Sequence, residues 1–140
     1  MAKISAIAFF VAVLLVLEVE TQTTDDSIAT RNKKVESFMS ECICASGADP
    51  EEVYSWFARR TFFPSSCFKC FLKCIGRKMG FMKPDGSSDL DAVSEQFGSI
   101  ISGEEIALCI KAHSGNLDLC EKAYQVPLCI YQIINANATN

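Results

Sequence analysis

SCFKCFLKC, residues 66–74, puts cysteines at 67, 70 and 74. What these sulfurs do decides the fold. Cys67 and Cys70 have the C-x-x-C spacing of zinc sites and redox motifs, whereas Cys70 and Cys74 stand about one helical turn apart. On a helix Cys67, Cys70, Cys74, Ile75 and Met79 share one face, so all three sulfurs are expected to reach toward other helices. Gly80 and the turn KPDG (Lys83–Gly86) mark where this helix stops.

The whole chain holds eight cysteines (42, 44, 67, 70, 74, 109, 120 and 129) and one histidine, His113. A structural zinc site usually pairs a C-x-x-C with a second close pair of Cys or His, but His113 is the one histidine and no second C-x-x-C exists here. A thioredoxin-type site needs a βαβ context, but the flanks of residues 66–74 read as helix. An even cysteine number in a small exported chain reads instead as disulfides.

Export is expected from the N-terminus. MAK is followed by the uncharged apolar run Ile4–Leu17, which Glu18 and Glu20 end. That run is shorter than the roughly 20 residues of a bilayer span and fits the core of a secretory signal. Val19 and Thr21 suit the small-residue positions before a cleavage site, so residues 1–21 are expected to leave and 22–140 to form one domain secreted into extracellular fluid. No later stretch is apolar enough for stable membrane insertion.

The net charge of −4 over 140 residues argues against nucleic acid as a partner, because phosphate binding needs clustered positive charge. The one basic run, RNKK (Arg31–Lys34), reads as a solvated helix face. Zinc-protease helix, nucleophile elbow and phosphate loop are all absent, and a phospholipase would need a His–Asp pair beside a calcium loop. The expectation is a protein that is not an enzyme, with no cofactor and no metal.

No strand alternation occurs, and the helices can be read in order. The first, about 26–43, carries Ile28, Val35, Phe38, Met39 and Cys42 at helical spacing. ADPEEVYSWFARR (Ala48–Arg60) offers Asp49 as N-cap, Pro50 at the first position, Glu52 as a capping-box partner, and a basic end that suits the dipole. After the 66–79 helix, a fourth is expected over about 89–97 with Leu90, Val93 and Phe97 inward. A fifth starts at Ser102 with Glu105 three residues on, and carries Ile106, Cys109, Ile110 and His113. The sixth runs over about 118–134, kinked or split by Pro127, before a frayed polar tail, NANATN. Asn137 lies in a glycosylation pattern.

In this order the spacings Cys70-x3-Cys74 and Cys120-x8-Cys129, with Cys109 between, resemble the six-cysteine signature of insect odorant-binding proteins. KCFLKC (Lys69–Cys74), KMGFMKPDG (Lys78–Gly86) and DLCEKAY (Asp118–Tyr124) are similar to that family's segments, and the likeness runs from Ile28 to about Ile134. Either Cys42 or Cys44 could be the family's first cysteine; Gly47, five residues after Cys42, favours Cys42. The resemblance then implies the bridges Cys42–Cys74, Cys70–Cys120 and Cys109–Cys129. Cys44 and Cys67 depart from the pattern. A fourth bridge between them is expected, because each lies close in sequence to one end of Cys42–Cys74.

The resemblance implies an all-α, compact, disulfide-linked six-helix domain enclosing a hydrophobic cavity. Its function would be a soluble carrier of small hydrophobic molecules such as odorants or pheromones. A pocket of that kind is mostly apolar, and the candidates for its lining are Val53, Phe57, Phe62, Phe71, Ile75, Met79, Val93, Phe97, Ile106, Ile110, Tyr124 and Leu128. Tyr124 could also hydrogen-bond an alcohol or carbonyl, and His113 reads as a helix-end histidine near solvent in preference to a pH switch for release. Trp56 reads as a surface or interface residue. A homodimer is compatible with this reading, and the sequence names no receptor. Plant-type lipid-transfer proteins are set aside because no adjacent Cys-Cys pair exists. The rival is a secreted signalling, venom or structural protein on the same scaffold, since fold does not fix function.

Overall fold

The computed structural model describes residue 30 and residues 32–139; the expected signal, 1–21, lies outside the described residues. The chain falls into two units, Met1–Ser37 and Phe38–Asn140. In the first, residues 32–37 are helical. The second carries six helices: α1 (38–46), α2 (Pro50–Arg59), α3 (Ser66–Lys78), α4 (Leu90–Phe97), α5 (Gly103–His113) and α6 (Leu119–Ala138). No β-strand occurs among the described residues; one isolated bridge joins Met82 and Ser88.

Helix starts follow local chemistry. Asp49, Ser65, Asp89, Ser102 and Asp118 each accept a backbone N–H of the first turn and so satisfy donors that the helix itself leaves open. Ser102 and Glu105 form the full reciprocal capping box. Glu52 does not close one with Asp49: its carboxylate accepts from the Ser65 hydroxyl at 2.6 Å, tying the start of α2 to the start of α3. After α3 the Gly76 carbonyl accepts from Phe81 (2.8 Å) and Met82 (3.1 Å), and Gly80 takes a positive φ of 79°. The KPDG turn closes with Gly86 N–H on Lys83 O at 2.9 Å. Gly86 sits at φ 83°, and a Cβ there would lie 2.4 Å from a Leu119 methyl carbon. Only glycine meets both conditions without strain.

α6 packs against α3 and α5, and α5 against α4. The aliphatic core lies at the second of these junctions: Val93, Ile101, Ile106, Cys109, Val126 and Ile130, with Phe81, Phe97, Ile110, Cys129, Ile133 and Ile134 against them. Leu90 was expected inward but is 41% exposed, because at the first position of a two-turn helix it precedes the buried stripe set by Val93. Pro127 does not split α6, and the tail is helical to Ala138 rather than frayed. A single missing N–H is tolerated where neighbours on both sides are packed, Val126 and Ile130 being buried.

Three disulfides form: Cys42–Cys74, Cys70–Cys120 and Cys109–Cys129. Two sit beside ion pairs that join the same helices, Lys78–Glu41 at 2.6 Å and Lys69–Glu121 at 2.6 Å. The fourth bridge, Cys44–Cys67, does not form; both residues are free and exposed. Helix geometry is the reason. Residues two apart on a helix point about 200° apart, so with Cys42 fully buried against α3, Cys44 is turned to solvent. Sharing a helix face did not carry all three α3 cysteines to partners either: Cys70 reaches α6, Cys74 reaches α1, and Cys67, in the first turn of α3, meets neither.

Candidate functional site

The capped ends of α2 and α3 position an aromatic cluster. α2 places Val53, Trp56 and Phe57 on one face by i, i+3, i+4 spacing. α3 contributes Phe68 and Phe71, and α6 contributes Tyr124 and Tyr131, two turns apart. The connection between α2 and α3 adds Phe62 and Phe63. Ring centroids lie 5.6–6.5 Å apart along an unbroken series: Phe97 to Tyr131, Tyr131 to Phe62, Phe62 to Tyr124, Tyr124 to Phe68, and Phe68 to Trp56, Phe63 and Phe71. Trp56 also meets Phe71 edge-on at 5.8 Å. Edge-to-face pairs predominate, the arrangement that aromatic quadrupoles favour. The row changes along its length. Phe97, Tyr131 and Phe62 are partly exposed, whereas Tyr124, Phe68, Trp56 and Phe71 are buried.

Two cations flank the row. Arg60, the C-cap of α2, adopts the left-handed conformation (φ 57°), its N–H on the Trp56 carbonyl at 2.7 Å. Its guanidinium carbon lies 5.5 Å from the Trp56 ring centre, 5.8 Å from that of Phe57 and 5.9 Å from that of Tyr131, within cation–π range of all three. Lys69 Nζ lies 5.0 Å from the Tyr124 ring and donates to Glu121. That hydrogen bond, more than the charge, raises the Lys69 pKa; it also lowers that of Glu121, helped by Gln125. Burial raises the Tyr131 phenol, with the Arg60 charge opposing, so Tyr131 is a neutral hydroxyl at neutral pH. One polar atom stands apart. The Trp56 indole Nε1 is buried with no hydrogen-bond partner among the described residues, a condition that ordinarily costs about 1–3 kcal/mol.

The expected lining residues separate into groups. Phe71 and Tyr124 are buried in the aromatic row, with Phe62 and Phe97 half-buried at its outer part; Phe57 lies under Arg60. Val93, Ile106 and Ile110 belong to the aliphatic core of α4, α5 and α6, which Phe97 joins to the row. Val53 and Ile75 are buried, Met79 and Leu128 half-buried. Trp56, read from sequence as a surface or interface residue, is only 8% exposed and packs against Phe68 and Phe71; its spacing from Val53 was the signal for burial. Phe68, Phe63, Tyr131 and Arg60 were not anticipated. Tyr131 repeats Tyr124 at i+7, which the sequence did offer. His113 is the last residue of α5 and makes none of the ring contacts of the row.

The PBP/GOBP family model matches residues 25–133. No curated protein matches the chain. Among solved structures, the fatty acid binding protein OBP56a from the oral disk of the blowfly Phormia regina superposes with a TM-score of 0.60 at 20% identity, covering 77% of this chain and 94% of that one. At that identity the likeness concerns the fold. No described helix is long and apolar enough to cross a membrane. With the family model spanning most of the sequence and every helix from α1 to α5, the chain belongs to the PBP/GOBP family.

Proposed function

We propose that this protein is a secreted, non-catalytic carrier of small hydrophobic molecules, and that its ligand lies along the aromatic row between α2, α3 and α6. The observation that carries this reading is the gradient of exposure along one continuous set of rings, from the partly exposed Phe97, Tyr131 and Phe62 to the buried Phe68 and Phe71. A binding site for an apolar molecule needs such a surface, with a polar group or two for orientation. The three disulfides support it in energy. Each closes a loop worth about 3–4 kcal/mol in the chain-entropy model, which offsets the packing a ligand cavity forgoes. Membership of the PBP/GOBP family and the name of the blowfly neighbour, a fatty acid binding protein, point the same way. Residues 1–21 fit this reading as the export signal.

The test is titration of purified protein with N-phenyl-1-naphthylamine. Saturable binding at low micromolar concentration, with probe displaced by medium-length alkanes or alcohols, is expected. Absence of saturable binding would remove the carrier reading. It would favour the rival interaction protein, for which the exposed Ile100, Leu108 and Leu117 are the first surface to mutate.

A further inference from the structure

We propose that Cys67 is the attacking thiol of a disulfide-exchange switch, which unties α3 from α6 by taking Cys70 from Cys120. The fold uses only half of the C-x-x-C at residues 67–70. Cys70 is bonded to Cys120, while Cys67 is free and exposed. A free thiol thus stands about one helical turn from a disulfide. Three residues along a helix separate Cα atoms by about 5 Å, inside the range of roughly 4.4–6.8 Å that disulfides span. The Cβ atoms, about 5–6 Å apart at this spacing, must close to about 4 Å. Cys67 lies in the first turn of α3, where N–H groups have no helical acceptor and the Phe68 N–H reaches the Ser65 hydroxyl only at 3.4 Å. This end of the helix can yield with little bonding lost. The same geometry excludes the other pairings. Cys74 is about 10.5 Å along the axis from Cys67, and Cys44 is turned away from Cys42 on α1.

The chemistry closes without a co-reactant. The Cys67 thiolate attacks Cys70 Sγ and the bond from Cys70 to Cys120 breaks. Cys120 leaves as a thiolate and takes up the proton that Cys67 gave to solvent. One disulfide and one thiol stand on each side, so nothing is oxidised or reduced overall, and the packing of α3 on α6 sets the cost of opening. Cys70 and Cys120 are half-buried, which leaves the bridge open to attack. After exchange α3 keeps its bond to α1 and α6 its bond to α5. Between α3 and α6 there remain packing and the Lys69–Glu121 ion pair, with no covalent tie. The buried part of the aromatic row crosses this junction, with Phe68 on α3 and Tyr124 on α6 at 6.5 Å between ring centres. The exchanged form therefore holds an apolar ligand less tightly. That consequence rests on the carrier reading above; the exchange itself does not.

In the test, the unsubstituted protein is held without oxygen at mildly alkaline pH, where thiols ionise. It is then quenched with acid, alkylated with N-ethylmaleimide and mapped without reduction. A minor population of about 0.1–10% of chains is expected, with Cys67 bonded to Cys70 and Cys120 alkylated. This population should be absent from Cys67→Ser and retained in Cys44→Ser. Cys120→Ser, which fixes the exchanged pairing, should show the Cys67–Cys70 bond and bind N-phenyl-1-naphthylamine severalfold more weakly than Cys67→Ser. Three results overturn the proposal whether or not Cys120→Ser folds: no such population above about 0.1% of chains, Cys120 alkylation that persists in Cys67→Ser, or a Cys67–Cys120 bond, which keeps α3 tied to α6. A Cys120→Ser protein that binds the probe as tightly as Cys67→Ser overturns the effect on the site. Absence of probe binding in the unsubstituted protein refutes the carrier reading, with the mapping still deciding the exchange.

Discussion

Phe68 has no exposed surface and touches four other rings, those of Trp56, Phe63, Phe71 and Tyr124. Replacing it with alanine removes a ring at the meeting point of α2, α3 and α6. Phe68→Ala is expected to cost about 3–5 kcal/mol, the range for a buried aromatic ring, measured by urea denaturation followed through Trp56 emission. A loss below about 1 kcal/mol would mean that the site collapses around the gap and that the row is not a packed unit. The importance of Phe68 was hidden because the cysteines drew the helical stripe through 67, 70 and 74, while the buried stripe of α3 runs through 68, 71, 72 and 75. The two stripes overlap, since a helix with neighbours on two sides buries a wide arc. Arg60 was hidden for a different reason. A basic residue at a helix end already has an explanation in the dipole, and only its left-handed backbone brings it over the rings.

Helix caps were the most legible feature, because a cap depends on residues three apart and on nothing distant. Asp49, Ser102 and Asp118 begin helices where the sequence places them. The reciprocal partner of Asp49 was not legible, for Glu52 had a second acceptance open to it at Ser65, which only the fold brings near. The length of α6 was underestimated because Pro127 and a polar tail both argue against helix locally, while packing of Val126 and Ile130 acts from elsewhere. The caps carry a pH dependence. Hydrogen bonds from Ser102 hold Glu105 below its ordinary value of 4.5, and the Ala92 N–H holds Asp89 below 3.8. Groups whose pKa is depressed on folding stabilise the fold above their unfolded values and lose that contribution as pH falls through the folded ones. Thermal melts should therefore show a stability that is level down to about pH 4.5 and declines below it, and Glu105→Gln should flatten part of that decline. A Glu105→Gln profile that falls as steeply as the parent would remove the cap as a source.

At the scale of the molecule, the family and the all-α fold were legible from cysteine spacing, and the fate of Cys44 and Cys67 was not. An even cysteine number suggested complete pairing, but pairing needs direction as well as proximity. The unreduced protein is expected to have two titratable thiols per chain and a mass six hydrogens below the reduced form. Eight hydrogens and no thiol would restore the Cys44–Cys67 bridge. The bridges that do form have a further consequence. Taking each helix as a node and each disulfide as an edge, α1, α3, α6 and α5 make one connected path, in which Cys42–Cys74, Cys70–Cys120 and Cys109–Cys129 are the links. α2 and α4 have no edge. These two helices carry Trp56, Phe57 and Phe97, three rings of the aromatic cluster. Covalent constraint is thus concentrated in α1, α3, α5 and α6, and α2 and α4 are the helices that could move without breaking a disulfide. Amide exchange should be faster in α2 and α4 than in α3 and α6, with the difference narrowing once the site is filled. Uniform exchange across the six would show that packing alone, and not the pattern of links, decides which helix opens first.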